Sequence, residues 1–128
     1  MADLPAPLVD FVPPLTWFTL QEGTGNLLKT LTTITSTGTT QLPGSTTTYN
    51  DVYVNAPGLV IIKFPLISKM FAGQEWAVKD TSGLAGTNTI TLEPGDAYTI
   101  DGFSSFVINS NFGSMSFIWN GTGMSVKL

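Results

Sequence analysis

The sequence predicts an all-β fold, a single compact β-sandwich or barrel-like domain with an extended, proline-rich N-terminal arm. Three observations carry that expectation. From Asp51 onward turn signals recur about every ten residues, among them Pro57-Gly58, Gly73, Pro94-Gly95, Asp101-Gly102 and Asn120-Gly121, which is the spacing of short strands in a sandwich or barrel. Between the turns, apolar and polar residues alternate with period two, as in Trp76 and Val78 or in Met115, Phe117 and Trp119, the pattern of a half-buried strand. The segment Thr30 to Tyr49 is rich in threonine and carries no charge, and β-branched side chains favour extended backbone.

Composition narrows the function. With 128 residues the chain fits one domain with a modest core. Only 11% of residues are charged, so Thr, Ser, Asn and Gly must cover much of the surface. There is no Arg, no His and no Cys, and the net charge is −4. A chain without a cationic cluster lacks the field that nucleic acid requires. Without His it lacks the usual general base near neutral pH and the commonest transition-metal ligand, and without Cys it has no disulfide framework and no thiolate site. The expectation is a protein that is not an enzyme, with no cofactor, no metal, no nucleic-acid partner and no membrane partner. Prolines at 5, 7, 13 and 14 interrupt any signal-like apolar run, and no run approaches the roughly 20 residues of a membrane span. A protein made in a cytoplasm, soluble or assembled, is expected.

In chain order, residues 1–16 form the expected arm. Proline forbids regular helix there, yet Leu4, Leu8, Phe11, Val12 and Leu15 make it too apolar for a solvated tail. The arm lies along its own domain or docks on a neighbouring subunit or host surface. Residues 17–128 form the β domain. Trp17 beside Phe18 has no clear strand phase and is a candidate interface residue. Residues 30–49 are expected to make an exposed, solvated β-hairpin, with a glycosylated stretch or a partner-facing edge as the alternatives. The meander core runs over 51–128. Asp51 to Asn55 reads as a short strand, and Leu59 to Ile62 as a strand covered on both faces, either the central strand of the sheet or a subunit contact. Leu66 to Phe71 reads as a helical turn. Glu75 to Gly102 reads as a compact meander, with Trp76 to Lys79 and Ile90 to Glu93 as a hairpin around the turn Asp80 to Gly86. A third strand follows through Tyr98 and Ile100 to a positive-φ dipeptide, Asp101-Gly102. Phe103 to Asn109, Ser114 to Trp119 and Ser125 to Leu128 complete the set.

No reaction chemistry stands out. Asp80, Glu93, Asp96 and Asp101 fall at or beside turns, where carboxylates bond local backbone amides, and they lack the spacing of a calcium loop. A glycosidase carboxylate pair is the one catalytic mechanism the inventory permits, and a chain this short hardly frames a saccharide cleft. Trp76 and Trp119 fit the apolar phase of their strands and are assigned to the core. Asn120-Gly121-Thr122 matches a glycosylation acceptor but is explained by its turn. Leu84, apolar in a polar loop, either folds back as a lid or meets a partner.

One set of residues points further. Trp76-Ala77-Val78-Lys79-Asp80, Ser82-Gly83 with Ala85, Asn88 to Leu92, Thr99 to Gly102, Val107 to Asn109, Phe112 to Ser114 and Asn120-Gly121 together resemble a small β module of tailed-bacteriophage virion proteins, of the head-decoration, head-fibre and tail-fibre type. The resemblance spans about Gly73 to Leu128; where the family often has an aromatic after the last turn, this chain has Gly123-Met124. It implies a non-enzymatic virion structural protein, usually a homotrimer, assembled in the host cytoplasm. Size favours a capsid decoration or head appendage attached through the arm. The alternative is a tail-associated or tail-fibre module binding host saccharide or other virion proteins. The candidate contact residues for subunits or virion are Leu4, Leu8, Phe11, Val12, Leu15, Trp17 and Leu84.

Overall fold

The computed structural model describes residues 29–127. Within them the chain is almost entirely β, with nine strands in two mixed sheets packed face to face. In chain order the strands are β1 (Lys29–Ile34), β2 (Gly38–Gln41), β3 (Tyr49–Val54), β4 (Val60–Lys63), β5 (Glu75–Asp80), β6 (Ile90–Glu93), β7 (Phe106–Ile108), β8 (Ser114–Trp119) and β9 (Met124–Lys127). One sheet has the order β9-β8-β5-β3-β1 and the other β2-β4-β6-β7.

The first six strands alternate between the sheets, and each of the first four pairs in parallel with the strand two places on. Lys29 is opposite Tyr49 and Tyr49 opposite Glu75 in one sheet; Gly38 is opposite Val60 and Val60 opposite Ile90 in the other. The chain therefore runs as a flattened coil of three stacked turns, β1–β2, β3–β4 and β5–β6. Beyond the third turn the sense reverses. β8 pairs antiparallel with β5, β7 antiparallel with β6, and β9 antiparallel with β8, so these three strands cap one end of the stack.

Period-two alternation turns one face of every strand inward. Stacked inward positions run Ile34, Val54 and Asp80; Thr32, Val52 and Val78; Thr30, Asn50 and Trp76, with Phe117 of the cap opposite Trp76. In the other sheet they run Thr40, Ile62, Leu92 and Phe106, and Gly38, Val60, Ile90 and Ile108. Except in the first column, which ends on Asp80, the columns become more apolar toward the cap. There Phe64, Ile62, Leu92, Ile100 and Phe117 have no exposed surface, each such side chain contributing about 1.5–3 kcal/mol by leaving water. The rings of Phe64 and Phe117 meet edge to face at 4.9 Å, as do those of Tyr98 and Trp119. The Tyr98 hydroxyl donates to the Pro65 carbonyl at 2.8 Å.

Much of the sequence reading holds at the level of elements. Ser114–Trp119 is a strand with Phe117 and Trp119 buried, and β4 is an internal strand of its sheet. Ile67–Lys69 is a single 3-10 turn. Asp101 and Gly102 have φ of 48° and 82° and make a two-residue turn closed by reciprocal bonds between Ile100 and Phe103.

The pairing differs from the expected meander. Glu75–Asp80 and Ile90–Glu93 are not a hairpin, because they lie in different sheets and each pairs with the turn of coil before it. The Thr-rich hairpin is likewise replaced by β1 and β2, one in each sheet. Tyr98 to Ile100 contributes only isolated bridges from Ile100. The physical reason is that alternation reports which face is buried and carries no information about which strand lies alongside. The outer face of β4 is half-buried at Ile61 and Lys63, so the expectation of cover on both faces is met on the inner side only.

Candidate interaction surfaces

Most charged side chains among the described residues bond or pair within the coil itself. Asp80, at the end of β5 and 1% exposed, gathers the corner that follows it. Its Oδ1 accepts from the Ser82 hydroxyl at 2.6 Å and from the Ser82 and Gly83 N–H groups, and its Oδ2 accepts from the N–H groups of Ala85 at 2.9 Å and Phe112 at 3.0 Å. Burial alone would push its carboxyl up. The bonds from the Ser82 hydroxyl and from the Ala85, Phe112 and Ser82 amides outweigh it and hold the pKa down at about 2.

Phe112 is one of two non-glycine residues with positive φ among those described, at 58°. Its N–H is held by Asp80, its carbonyl accepts from Lys79 Nζ at 2.6 Å, and its ring lies against Gly83. Asp80 thereby ties the third turn to the cap. Asp96 accepts from the Ile67 and Ala97 amides, and Asp101 from the Val126 amide. Asp51 pairs with Lys29 at 2.9 Å, Glu75 with Lys127 at 2.8 Å and Glu93 with Lys63 at 3.8 Å. Among the described residues no three acidic side chains converge as a metal site would require, and the turn role read for Asp80, Asp96 and Asp101 is what the bonds display.

The end of the coil opposite the cap is open among the described residues. Thr30 and Thr32 face inward yet are exposed, and every residue of β1 except Ile34 is exposed. The opening forms a cleft of about 770 Å³ lined by Thr30, Thr32, Leu42, Asn50, Val52 and Trp76, with Ser45 and Lys69 at its margin. A polar network lies along one side. Asn50 Oδ1 accepts from the Thr30 hydroxyl at 2.7 Å and the Thr47 hydroxyl at 3.1 Å, while its Nδ2 donates to the carbonyls of Glu75 and Thr47. Gln74, with no exposed surface, donates through Nε2 to the carbonyls of Ser45 and Thr47, both at 2.9 Å. These bonds satisfy backbone that the return segment 42–48 would otherwise bury unpaired.

A second surface is apolar and lies toward the cap. Leu84 is 40% exposed and Phe112 59% exposed. Both flank Gly83, and Phe103 and Val107 are also exposed apolar residues of the cap region.

Of the residues the sequence singles out for contact, Leu84 is the described one, and it is a surface residue whose carbonyl caps the Thr87 and Asn88 amides. Leu4, Leu8, Phe11, Val12, Leu15 and Trp17, with the arm they define, lie outside the described residues. Trp76 and Trp119 are core, 3% and 2% exposed. The sequence reading passes over Asn50, Gln74 and Thr47. Asn50 carries a signal, since it holds the same strand phase as Val52 and Val54 and so must face inward; Gln74, beside a turn, carries none. No helix among the described residues is long and apolar enough to cross a membrane. Comparison with protein-family models and with curated proteins finds no match.

Proposed function

We propose that this chain is a non-enzymatic structural protein of a tailed-bacteriophage virion, a capsid decoration or head appendage protein attached through its N-terminal arm. The observation that carries this reading is the polarity of the body. Among the described residues, one end of the coil is closed by β7, β8 and β9, and the other ends in the edge strands β1 and β2, with β1 directly following residues 1–28 in the sequence. A body of that kind suits fixation at one end and exposure of the other. The stretch with the phage-module resemblance, from about Gly73, begins just before β5 and coincides with the third turn and its cap. It is thus a structural unit and not an arbitrary window. The described carboxylates are committed to backbone amides and ion pairs, which is the economy of a protein selected for persistence. Self-association, as a homotrimer, would use the apolar surface around Leu84 and Phe112.

Particles of the phage that encodes the chain provide the test. The full-length protein is expected to co-sediment with them and to appear at regular positions on the capsid by electron cryomicroscopy. Deletion of residues 1–15 is expected to abolish co-sedimentation while leaving the far-UV spectrum β-like. Retention on the capsid without the arm, or density confined to the tail, would refute the assignment. Saturable binding to a host glycan would favour the tail-fibre alternative.

A further inference from the structure

We propose that the turn between β8 and β9 modifies itself: the Gly121 backbone nitrogen closes on the Asn120 carboxamide, and water reopens the resulting succinimide to aspartate or isoaspartate. The turn's own donors promote the closure. Nothing in this depends on the virion reading.

Asn120 is exposed and begins the turn Asn120 to Gly123, which its N–H closes by donating to the Gly123 carbonyl at 3.0 Å. Its Oδ1 accepts from the Thr122 N–H at 2.9 Å, the Thr122 hydroxyl at 3.0 Å and the Gly123 N–H at 2.9 Å. A carboxamide oxygen has two lone pairs. Three donors on it are more than a neutral acceptor needs, and they suit an oxygen that gains charge. That is the oxygen formed when a nucleophile adds to Cγ, and donors already aimed at it stabilise the adduct.

Position supplies the nucleophile. The bond from the Thr122 N–H to Oδ1 closes a ring that contains both Asn120 Cγ and the Gly121 nitrogen. The carboxamide is thereby folded back toward the nitrogen that attacks it, so the step starts from an ordered geometry. Gly121 has φ of 103°, and a Cβ there would meet only the Ala72 Cβ, at 3.7 Å, so the nitrogen is flanked by no side chain of its own residue. Asn111 is the contrast. Its Oδ1 takes the Gly86 N–H at 2.8 Å, and the residue after it is Phe112, one donor and a bulky neighbour where Asn120 has three donors and a glycine.

Hydroxide takes the Gly121 amide proton, the nitrogen forms its bond to Cγ, and collapse of the adduct breaks the Cγ–Nδ2 bond, with Nδ2 leaving as ammonia after taking a proton from water. Water then adds to one of the two ring carbonyls and breaks its bond to nitrogen. Opening at Cγ gives aspartate at position 120, and opening at the main-chain carbonyl gives isoaspartate. Either product adds a negative charge to the net −4. Aspartate presents a carboxylate to the same three donors and tightens the turn. Isoaspartate routes the main chain through the former side chain, adds an atom to the ring closed between Asn120 and Gly123, and loosens β8 from β9.

Mass spectrometry of the full chain held at pH 8 tests this. The segment containing Asn120 should gain the single mass unit of deamidation and resolve into two products, at least about tenfold faster in the folded protein than in the same chain unfolded in concentrated urea at that pH. Thr122→Val removes the hydroxyl donor and should slow the folded rate about tenfold without changing the unfolded rate, and Thr122→Ser should restore it. Thr122 is exposed, so neither change reaches the core. A folded rate equal to or below the unfolded one would show that the turn shields Asn120 and would overturn the proposal. So would a Thr122→Val rate equal to wild type, or a Thr122→Ser rate as slow as that of Thr122→Val, which would assign the effect to packing and not to the hydroxyl.

Discussion

Replacing Asp80 by asparagine removes little volume and keeps one acceptor oxygen. The carboxylate takes donors on both oxygens: the Ser82 hydroxyl with the Ser82 and Gly83 amides on one, the Ala85 and Phe112 amides on the other. An asparagine with its oxygen on the first side must turn an NH₂ toward the Ala85 and Phe112 N–H groups, leaving two donors unpaired and facing a third. At about 1–3 kcal/mol for each unsatisfied buried group, the expected loss is about 3 kcal/mol. For a body of this size, that corresponds to a fall in Tm of about 12–20 °C. The pH dependence gives a second measure. The folded carboxyl, at about 2, is depressed below its ordinary value, so its stabilisation is fully present above about pH 4 and is lost as pH falls through the folded value; nearly two units correspond to about 2.5 kcal/mol. Urea titrations of wild type and Asp80→Asn at pH 7, 4, 3 and 2 read both quantities. Wild type should lose more stability than the variant between pH 4 and pH 2. A loss under about 1 kcal/mol at pH 7, or parallel pH profiles, would refute the clamp.

Three further outcomes follow from the same coordinates. A Cβ at Gly95 would overlap the Phe64 carbonyl oxygen, so Gly95→Ala should destabilise by about 1–3 kcal/mol in urea unfolding even though its φ is ordinary. Gln74→Leu removes the donor that serves the Ser45 and Thr47 carbonyls and should cost about 2 kcal/mol, with amide exchange quickening first in the 42–48 return. Leu84→Asp places a charge on the exposed apolar surface and should lower the oligomeric mass by light scattering without changing monomer stability by more than about 0.5 kcal/mol; an unchanged mass would remove Leu84 from the subunit contact.

The all-β class, the strand at Ser114–Trp119 and the Asp101-Gly102 turn were legible because each is local: alternation, branching and tolerance of positive φ act within a few residues. The pairing was not. Val78 reads identically whether its neighbour is Ile90 across a hairpin or Val52 one turn earlier, and the bonds at Asp80 help turn residues 81–89 into a corner between sheets. That role depends on Phe112, more than thirty residues away, beyond any local pattern. The open cleft was illegible for the same reason, since Thr30 and Asn50 become neighbours only through the parallel register. Leu84 stood out because an apolar residue in a polar loop either folds back as a lid or meets a partner, and no local pattern chooses between the two.

Stacking in parallel also dictates an order of events. Each ladder of the coil joins strands separated by a corner, a strand and a return, so each pays loop-closure entropy before any bond forms. Two pairs are consecutive in sequence, β6 with β7 and β8 with β9, and the second has the shorter connection, through Asn120-Gly121, where Asn120 Oδ1 holds the Thr122 and Gly123 amides at 2.9 Å. This hairpin is the natural nucleus, and it follows the whole coil in sequence. During synthesis the three turns leave the ribosome before the surface that templates them exists, so the body should fold after translation has passed Lys127, from the cap backward. Ribosome-stalled chains ending before Ser114 are expected to remain protease-sensitive throughout.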